Sequence, residues 1–294
     1  MAASPFGVWV PRCCVVCVTP FGFVQMNADP SPDLPRPFYD EWWGQRRTAA
    51  QALWDWHTAL SEPSVPPGAV AEAFFDAERD RAESGESLRA IPKETAVSAY
   101  KACRTYDLPL AWLGAQVEAA RLLHGPTRFE TADRLDTFAR LWAVPHARLL
   151  AALAGLTNSV QRSWADELGR GFFYLAHLAR LPNDLARERL FVPLEECRQY
   201  DVTTEQLRTG PATEAVQRLL WKQSVRVRDA LQRGRALADD LWVRQRYALR
   251  GYWHGALALL DELERRNYDL WSEPVRLSAF RRFEVYLQVV FGRS

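Results

Sequence analysis

The sequence predicts an all-α protein, and three observations carry that reading. Apolar residues recur near every 3.6 positions through each long segment, the pattern of a helix with one buried stripe. No stretch alternates apolar and polar residues between hairpin turns, as half-buried strands would require. The periodic segments are separated by Pro63, Pro66-Pro67, Pro92, Gly125-Pro126, Gly155, Gly210-Pro211 and Pro274, residue types that interrupt helices.

In chain order, the first helix is expected over about 38–61, ending before Pro63, and the second over about 67–83, opening after the proline pair. Pro92 precedes a third at about 93–105, and Gly125-Pro126 closes a fourth at about 109–124. Gly155 separates helices at about 130–154 and 157–181. The second of these carries Phe172, Phe173, Leu175, Leu178 and Leu181 at helical spacing until Pro182, which lacks a donor and crowds the preceding turn. After Gly210-Pro211 come helices at about 211–240 and 243–267. In the latter, Trp253, Leu257, Leu260 and Leu263 form one stripe, and Asn267 suits the left-handed backbone of a helix end. Beyond Pro274 a last helix is expected at about 275–290, with Tyr268, Leu277 and Phe280 buried where the closing segment crosses the bundle.

Residues 1–36 read differently. They hold no acidic residue before Asp29, and Pro11, Pro20 and Gly22 interrupt their apolar runs. Neither Gly7–Val10 nor Cys13–Val18 is long enough for a signal-peptide core. A disordered or over-long leader over 1–36, with Met26 as an alternative start, and one domain over 37–294 are the expectation. No run of about 18 apolar residues suggests a membrane span.

Composition narrows the function. A net charge of +1 in 294 residues, with no dense basic run, speaks against a nucleic-acid partner. The five cysteines make no disulfide framework in a chain this long, and Cys13-Cys14-Val-Val-Cys17 lacks a second ligand pair at zinc-like spacing. Cys103 and Cys197 lie in helical patterns and read as buried thiols. His57, His124, His146, His177 and His254 fall on separate helices without metal-ligand spacing, and each reads as a packing or surface histidine. The arginines of 226–235 and 244–250 are spread through long helices, which suits a salt-bridged outer face.

The most specific stretch is Gly171–Leu207. It combines the apolar helix, Asp184, the loop Arg189-Leu-Phe-Val-Pro-Leu-Glu-Glu-Cys197 and the step Asp201-Val-Thr-Thr-Glu-Gln-Leu207. Further blocks follow the same order: Ala52-Leu-Trp-Asp-Trp-His-Thr-Ala-Leu60, Tyr106-Asp-Leu-Pro-Leu-Ala-Trp-Leu113, Thr127-Arg-Phe-Glu-Thr-Ala-Asp-Arg-Leu135, Ala165-Asp-Glu-Leu-Gly-Arg170, and Glu264-Arg-Arg-Asn-Tyr-Asp269 with Val275-Arg-Leu277. This ordered set resembles the squalene/phytoene synthase family over about 52–294. The resemblance implies an isoprenoid-synthase-like helical bundle around a central apolar cavity. It also implies a prenyl diphosphate or other isoprenoid lipid as ligand, and Mg²⁺ as cofactor for joining two prenyl diphosphates head to head. Arg128, Phe129, Phe173, Arg180 and Asp184 occupy the positions it implies for substrate.

The metal motifs depart from the family pattern. The four key positions of the second aspartate motif hold Ala176, Ala179, Arg180 and Asp184, so Asp184 is the one carboxylate left for metal. Phe173 stands where the family has a glutamine, and Leu123 where it has an acidic residue. For the first motif, Asp40-Glu41 has no carboxylate four positions on; a substitute set is Glu72, Asp76 and Asp80, one turn apart, although the interleaved Arg79 and Arg81 make a solvated charged face the plainer account. Arg180 is expected to pair with Asp184 one turn later. Three functions remain open: a diverged prenyltransferase working with a paralogous synthase subunit, a non-catalytic binding or assembly protein that keeps the cavity, and a partner subunit whose cavity aromatics have filled. A cytoplasmic location with peripheral contact at a membrane surface fits each.

Overall fold

The computed structural model describes residue 42 and residues 44–61, 93–123 and 125–291. Among them eleven α-helices and two short 3₁₀ segments carry nearly all the regular structure. The expected helix at 67–83 and the leader at 1–36 lie outside the described residues.

The helices are α1 (Gly44–Ser61), α2 (Lys93–Thr105), α3 (Leu110–Ala120), α4 (Ala132–Leu153), α5 (Ser159–Ala179) and α6 (Leu181–Ala186). They continue with α7 (Leu194–Gln199), α8 (Thr204–Thr209), α9 (Glu214–Gly234), α10 (Val243–Arg265) and α11 (Ala279–Phe291). Starts are fixed by side-chain caps. Asn158 with Gln161 and Thr203 with Gln206 form reciprocal capping boxes at α5 and α8, and Thr131 and Thr213 cap α4 and α9. The end of α4 is set by Gly155, whose φ of +88° lets Leu156 N–H turn back to the Ala151 carbonyl at 2.9 Å.

Helix α5 is the centre of the bundle, packed between α4 and α9. Small residues permit that closeness: a Cβ on Gly169 would lie 2.9 Å from the Ala147 Cβ, and one on Gly234 2.8 Å from the Trp164 carbonyl oxygen. The sides of these helices are tied by ion pairs. Arg148 grips Asp166 through two bonds of 2.6 Å, Arg233 reaches Glu167 at 3.0 Å, and Arg228 bridges to Asp261 and Glu264. The basic stretches of α9 and α10 thus serve as the salt-bridged face their spacing suggests. Cys103 and Cys197 are buried, and burial raises their thiols to about 12 and about 11.

One short ladder departs from the purely helical expectation. Thr127–Arg128 (β1) pairs in parallel with Arg189–Leu190 (β2), and the zip continues as Leu194 and Glu195 N–H donate to the Phe129 and Glu130 carbonyls. Two residues per strand leave the class all-α. The ladder brings together two of the stretches that carried the family resemblance, and the loop after β2 is then locked by its acids. Glu195 accepts from Ala132 N–H at the start of α4 at 2.7 Å. Glu196, buried, accepts from Gln223 at 2.7 Å and Arg226 at 2.6 Å, with Lys222 at 3.3 Å.

Tyr268 and Leu277 are buried as expected, but Phe280 is 69% exposed. Helix α11 is apolar on two faces, and the side turned to the bundle is that of Val285 and Val289, four residues apart. Phe280→Ala is therefore expected to change unfolding free energy by less than about 0.5 kcal/mol, the usual range for an exposed position. A loss of about 3 kcal/mol or more in denaturant titration, the range of a truncated core ring, would place Phe280 in the core after all.

Candidate functional site

The site forms where α5 gives way to α6. Helix α5 ends at Arg180, with φ −105° and ψ 12°, because Pro182 supplies no N–H, and α6 restarts at once. The change of direction lets Asp184 fold back onto the preceding helix. Asp184 Oδ2 accepts from His177 Nδ1 at 2.7 Å, with both side chains largely buried. His177 stacks on Phe191 at 3.6 Å between ring centroids and meets Phe173 edge-on at 4.6 Å. Burial lowers the His177 pKa, Asp184 opposes that shift, and Arg180 and Arg189 add to it. A neutral imidazole donating from Nδ1 to the carboxylate satisfies this geometry.

Arginines surround the pair. Arg189, only 8% exposed, donates to the Leu123 carbonyl at 2.7 Å. Burial pulls its guanidinium below the usual range; Asp184 resists, while Arg187 and Arg180 reinforce the effect. Arg180 turns its Nε to the Ala176 carbonyl at 3.2 Å. The expected Arg180–Asp184 pair is replaced by His177–Asp184, since a C-terminal arginine can reach its own helix carbonyl while the histidine lies under the returning chain. Arg128 is exposed on β1, in register with Leu190.

Beneath this rim the interior is filled with rings. Phe129, Phe138, Phe173 and Phe191 touch one another at centroid distances of 5.2 to 6.0 Å. Trp142 continues the chain from Phe138 and meets His57 at 4.3 Å, and His57 stacks on His146 at 4.3 Å. His57 of α1 and His146 of α4 thus meet ring to ring, and His177 of α5 is near enough to act on His57 electrostatically. Burial drives His146 down to about 3 and His57 well below its ordinary value, where His146 and His177 add to the shift. Sequence reading took these histidines singly, because nothing local shows that α1 and α4 bring His57 and His146 into contact.

Farther along α5 lies a narrow apolar cavity of about 60 Å³. Ala143, Ala147 and Ala151 of α4 and Ala165, Leu168 and Gly169 of α5 form its walls, closed by Leu241, Gln245 and Leu249. The alanines and glycine that allow close packing also leave this gap.

Of the residues implied for substrate, Phe129, Phe173, Arg180 and Asp184 gather here, and Arg128 stands on the adjoining strand. Asp76 and Asp80, the alternative metal carboxylates, lie outside the described residues.

Comparison with known proteins decides the lineage. The sequence model of the family described as squalene/phytoene synthase matches residues 45–281. The chain belongs to the squalene/phytoene synthase family. A phytoene synthase of Thermus thermophilus is 28% identical over 159 residues, which is 54% of this chain and 54% of that protein. The matched stretch thus spans about half the length of that relative. Among solved structures, squalene synthase HpnC from Alicyclobacillus acidocaldarius aligns with a TM-score of 0.65 and 20% identity, over 81% of this chain and 87% of that one. A dehydrosqualene synthase in complex with ligand aligns with a TM-score of 0.70 and 13% identity, over 86% and 89%. At these identities the two structures establish the isoprenoid-synthase fold.

The family uses Mg²⁺ held by aspartate motifs, so the donors of this chain can be tested for fit. Asp184 accepts from His177, and the aligned Ala176, Ala179 and Arg180 offer no side-chain oxygen for a cation. Among the described residues no three His, Cys, Asp or Glu side chains are grouped to hold a metal ion. The described site does not fit a magnesium cluster. None of the described helices is long and apolar enough to cross a membrane.

Proposed function

We propose that this protein of isoprenoid (squalene, hopanoid or carotenoid) metabolism binds a prenyl diphosphate or polyprenyl chain, with head-to-head condensation impaired. The observation that carries the reading is the His177–Asp184 bond at 2.7 Å under a rim of arginines. Ionising an allylic diphosphate requires charge neutralisation at the leaving group, which clustered carboxylates and magnesium supply in the family. Among the described residues the carboxylate retained in that motif already accepts from His177, and Arg187 and Arg189 bring positive charge to its surroundings. Guanidinium groups bind phosphate oxygens well without a metal. The ring cluster at Phe138 and Phe173 takes up space near the rim, and the apolar cavity beside α5 supports binding of one end of a chain.

Titration with a non-hydrolysable farnesyl thiodiphosphate, followed by tryptophan fluorescence, tests this. Binding is expected to be unchanged by a chelator and to weaken about tenfold, roughly 1.4 kcal/mol, in Arg180→Asp. Binding that disappears on chelation would show that a metal, not arginine, holds the diphosphate.

The alternative of a non-catalytic assembly or partner subunit draws support from α11, whose Phe280, Phe283 and Phe291 are exposed. A paralogous synthase recovered in complex with the protein, and lost on substitution of Phe283, would favour it.

A further inference from the structure

The apolar cavity is lined by polar atoms that a plain hydrocarbon would leave unserved: the ring nitrogens Trp42 Nε1 and His146 Nδ1, and a side-chain amide oxygen. Gln245, near the start of α10, lines it while only 5% exposed, and its side-chain Oε1 is buried with no hydrogen-bond partner. The remaining walls are aliphatic or aromatic except for His146. A buried amide oxygen without a donor is costly, and a ligand that supplies one gains what the empty protein lacks.

The charge of the lining limits the ligand. Among the described residues no lysine, arginine, aspartate or glutamate lines the cavity, so against these walls a phosphate or carboxylate would be buried without a counter-charge. Phe172, which also lines it, precedes Arg180, the residue that caps α5, by eight positions, about 12 Å along the helix. The cavity and the arginine rim are therefore separate places, and the cavity is too narrow for more than one end of a chain. A hydroxyl both donates and accepts, so it satisfies the glutamine amide in either orientation, whereas an ether or ketone only accepts.

We infer that this cavity takes the hydroxyl-bearing end of an isoprenoid alcohol, the hydroxyl donating to Gln245 Oε1 while the chain lies along Ala147, Leu168 and Gly169. This rests on the proposed isoprenoid-binding function and specifies its ligand class: a neutral, oxygenated isoprenoid in addition to, or in place of, a diphosphate. Sites that hydrogen-bond a hydroxyl discriminate strongly against the analogue lacking it, because the protein group is then left unpaired.

The test compares farnesol, farnesene and farnesyl thiodiphosphate as competitors of a fluorescent isoprenoid probe on the full-length protein. Farnesol is expected to bind at least tenfold more tightly than farnesene. In Gln245→Met, similar in size, farnesol should fall to the farnesene level while farnesene and thiodiphosphate keep their affinities. Equal binding of farnesol and farnesene by the unaltered protein would overturn the inference without needing any variant. A farnesol preference that survives in Gln245→Met would overturn it as well, by placing the hydroxyl elsewhere. Thiodiphosphate and farnesene binding without a farnesol preference refutes this inference alone. Failure of all three ligands to bind refutes the isoprenoid-binding reading beneath it too.

Discussion

Lowering the pH from 6.5 toward 3 is expected to remove several kcal/mol of folding stability, chiefly through the histidines buried between α1 and α4. His146 is held near a pKa of about 3 by burial, and His57 is shifted in the same direction. In the unfolded chain each returns to about 6.5. Between those values the unfolded state binds protons that the native state refuses, so stability falls as pH drops, by about 1.4 kcal/mol per pH unit for each such histidine. A domain of ordinary stability has roughly 5–15 kcal/mol in total and would unfold within that window. Glu196 acts lower. Burial pushes its pKa up, but Gln223, Arg226 and Lys222 outweigh it and depress the net value. Its contribution is therefore present above the unfolded carboxylate range, about 4.3, and lost as pH falls through the lower folded value. Urea titrations between pH 7 and 5 isolate the histidines, and His146→Leu should flatten the slope by about 1.4 kcal/mol per unit. Stability independent of pH over that range would mean that water reaches the histidines.

Truncating Phe138 is expected to have the largest effect of any single substitution at the ring cluster. It is 2% exposed and contacts Phe129, Trp142, Phe173 and Phe191 at 5.2 to 6.2 Å. Phe138→Ala removes the ring from the middle of that set, and the neighbours, held on α4, on α5 and on the segments that follow β1 and β2, cannot close the gap. A cost of about 3–5 kcal/mol follows from lost transfer energy and the residual cavity. A change below about 1 kcal/mol, read from the denaturant midpoint at constant m-value, would show that the cluster repacks freely.

Much of the helix order was legible because its signals are local. Pro182 stops α5 by removing an N–H, Gly155 supplies a positive φ, and Asn158 and Thr203 cap with their own side chains. The motif order also pointed to the family and so to the fold. Contacts made by chain reversal were not legible. Arg180–Asp184 is the natural expectation on a continuous helix, but the break at Leu181 turns Asp184 toward His177, seven residues earlier. Phe280 failed for a related reason: periodicity identifies apolar faces, and α11 has two, while the choice of the covered one is made by α10. Gln245 reads in sequence as one polar residue among arginines, and its burial depends on the gap left by Ala143, Ala147 and Gly169.

The most direct measurement of the central claim is incubation of the purified protein with labelled farnesyl and geranylgeranyl diphosphate and Mg²⁺, with products extracted and separated. The occupied Asp184, with Ala176 and Arg180 at positions where the family places metal-site side chains, predicts little or no condensed product. Unreacted diphosphate should be recovered, and added metal should have no cooperative effect. Robust formation of a squalene- or phytoene-like hydrocarbon would contradict the account and direct attention to Glu72, Asp76 and Asp80 as the carboxylates that hold the metal.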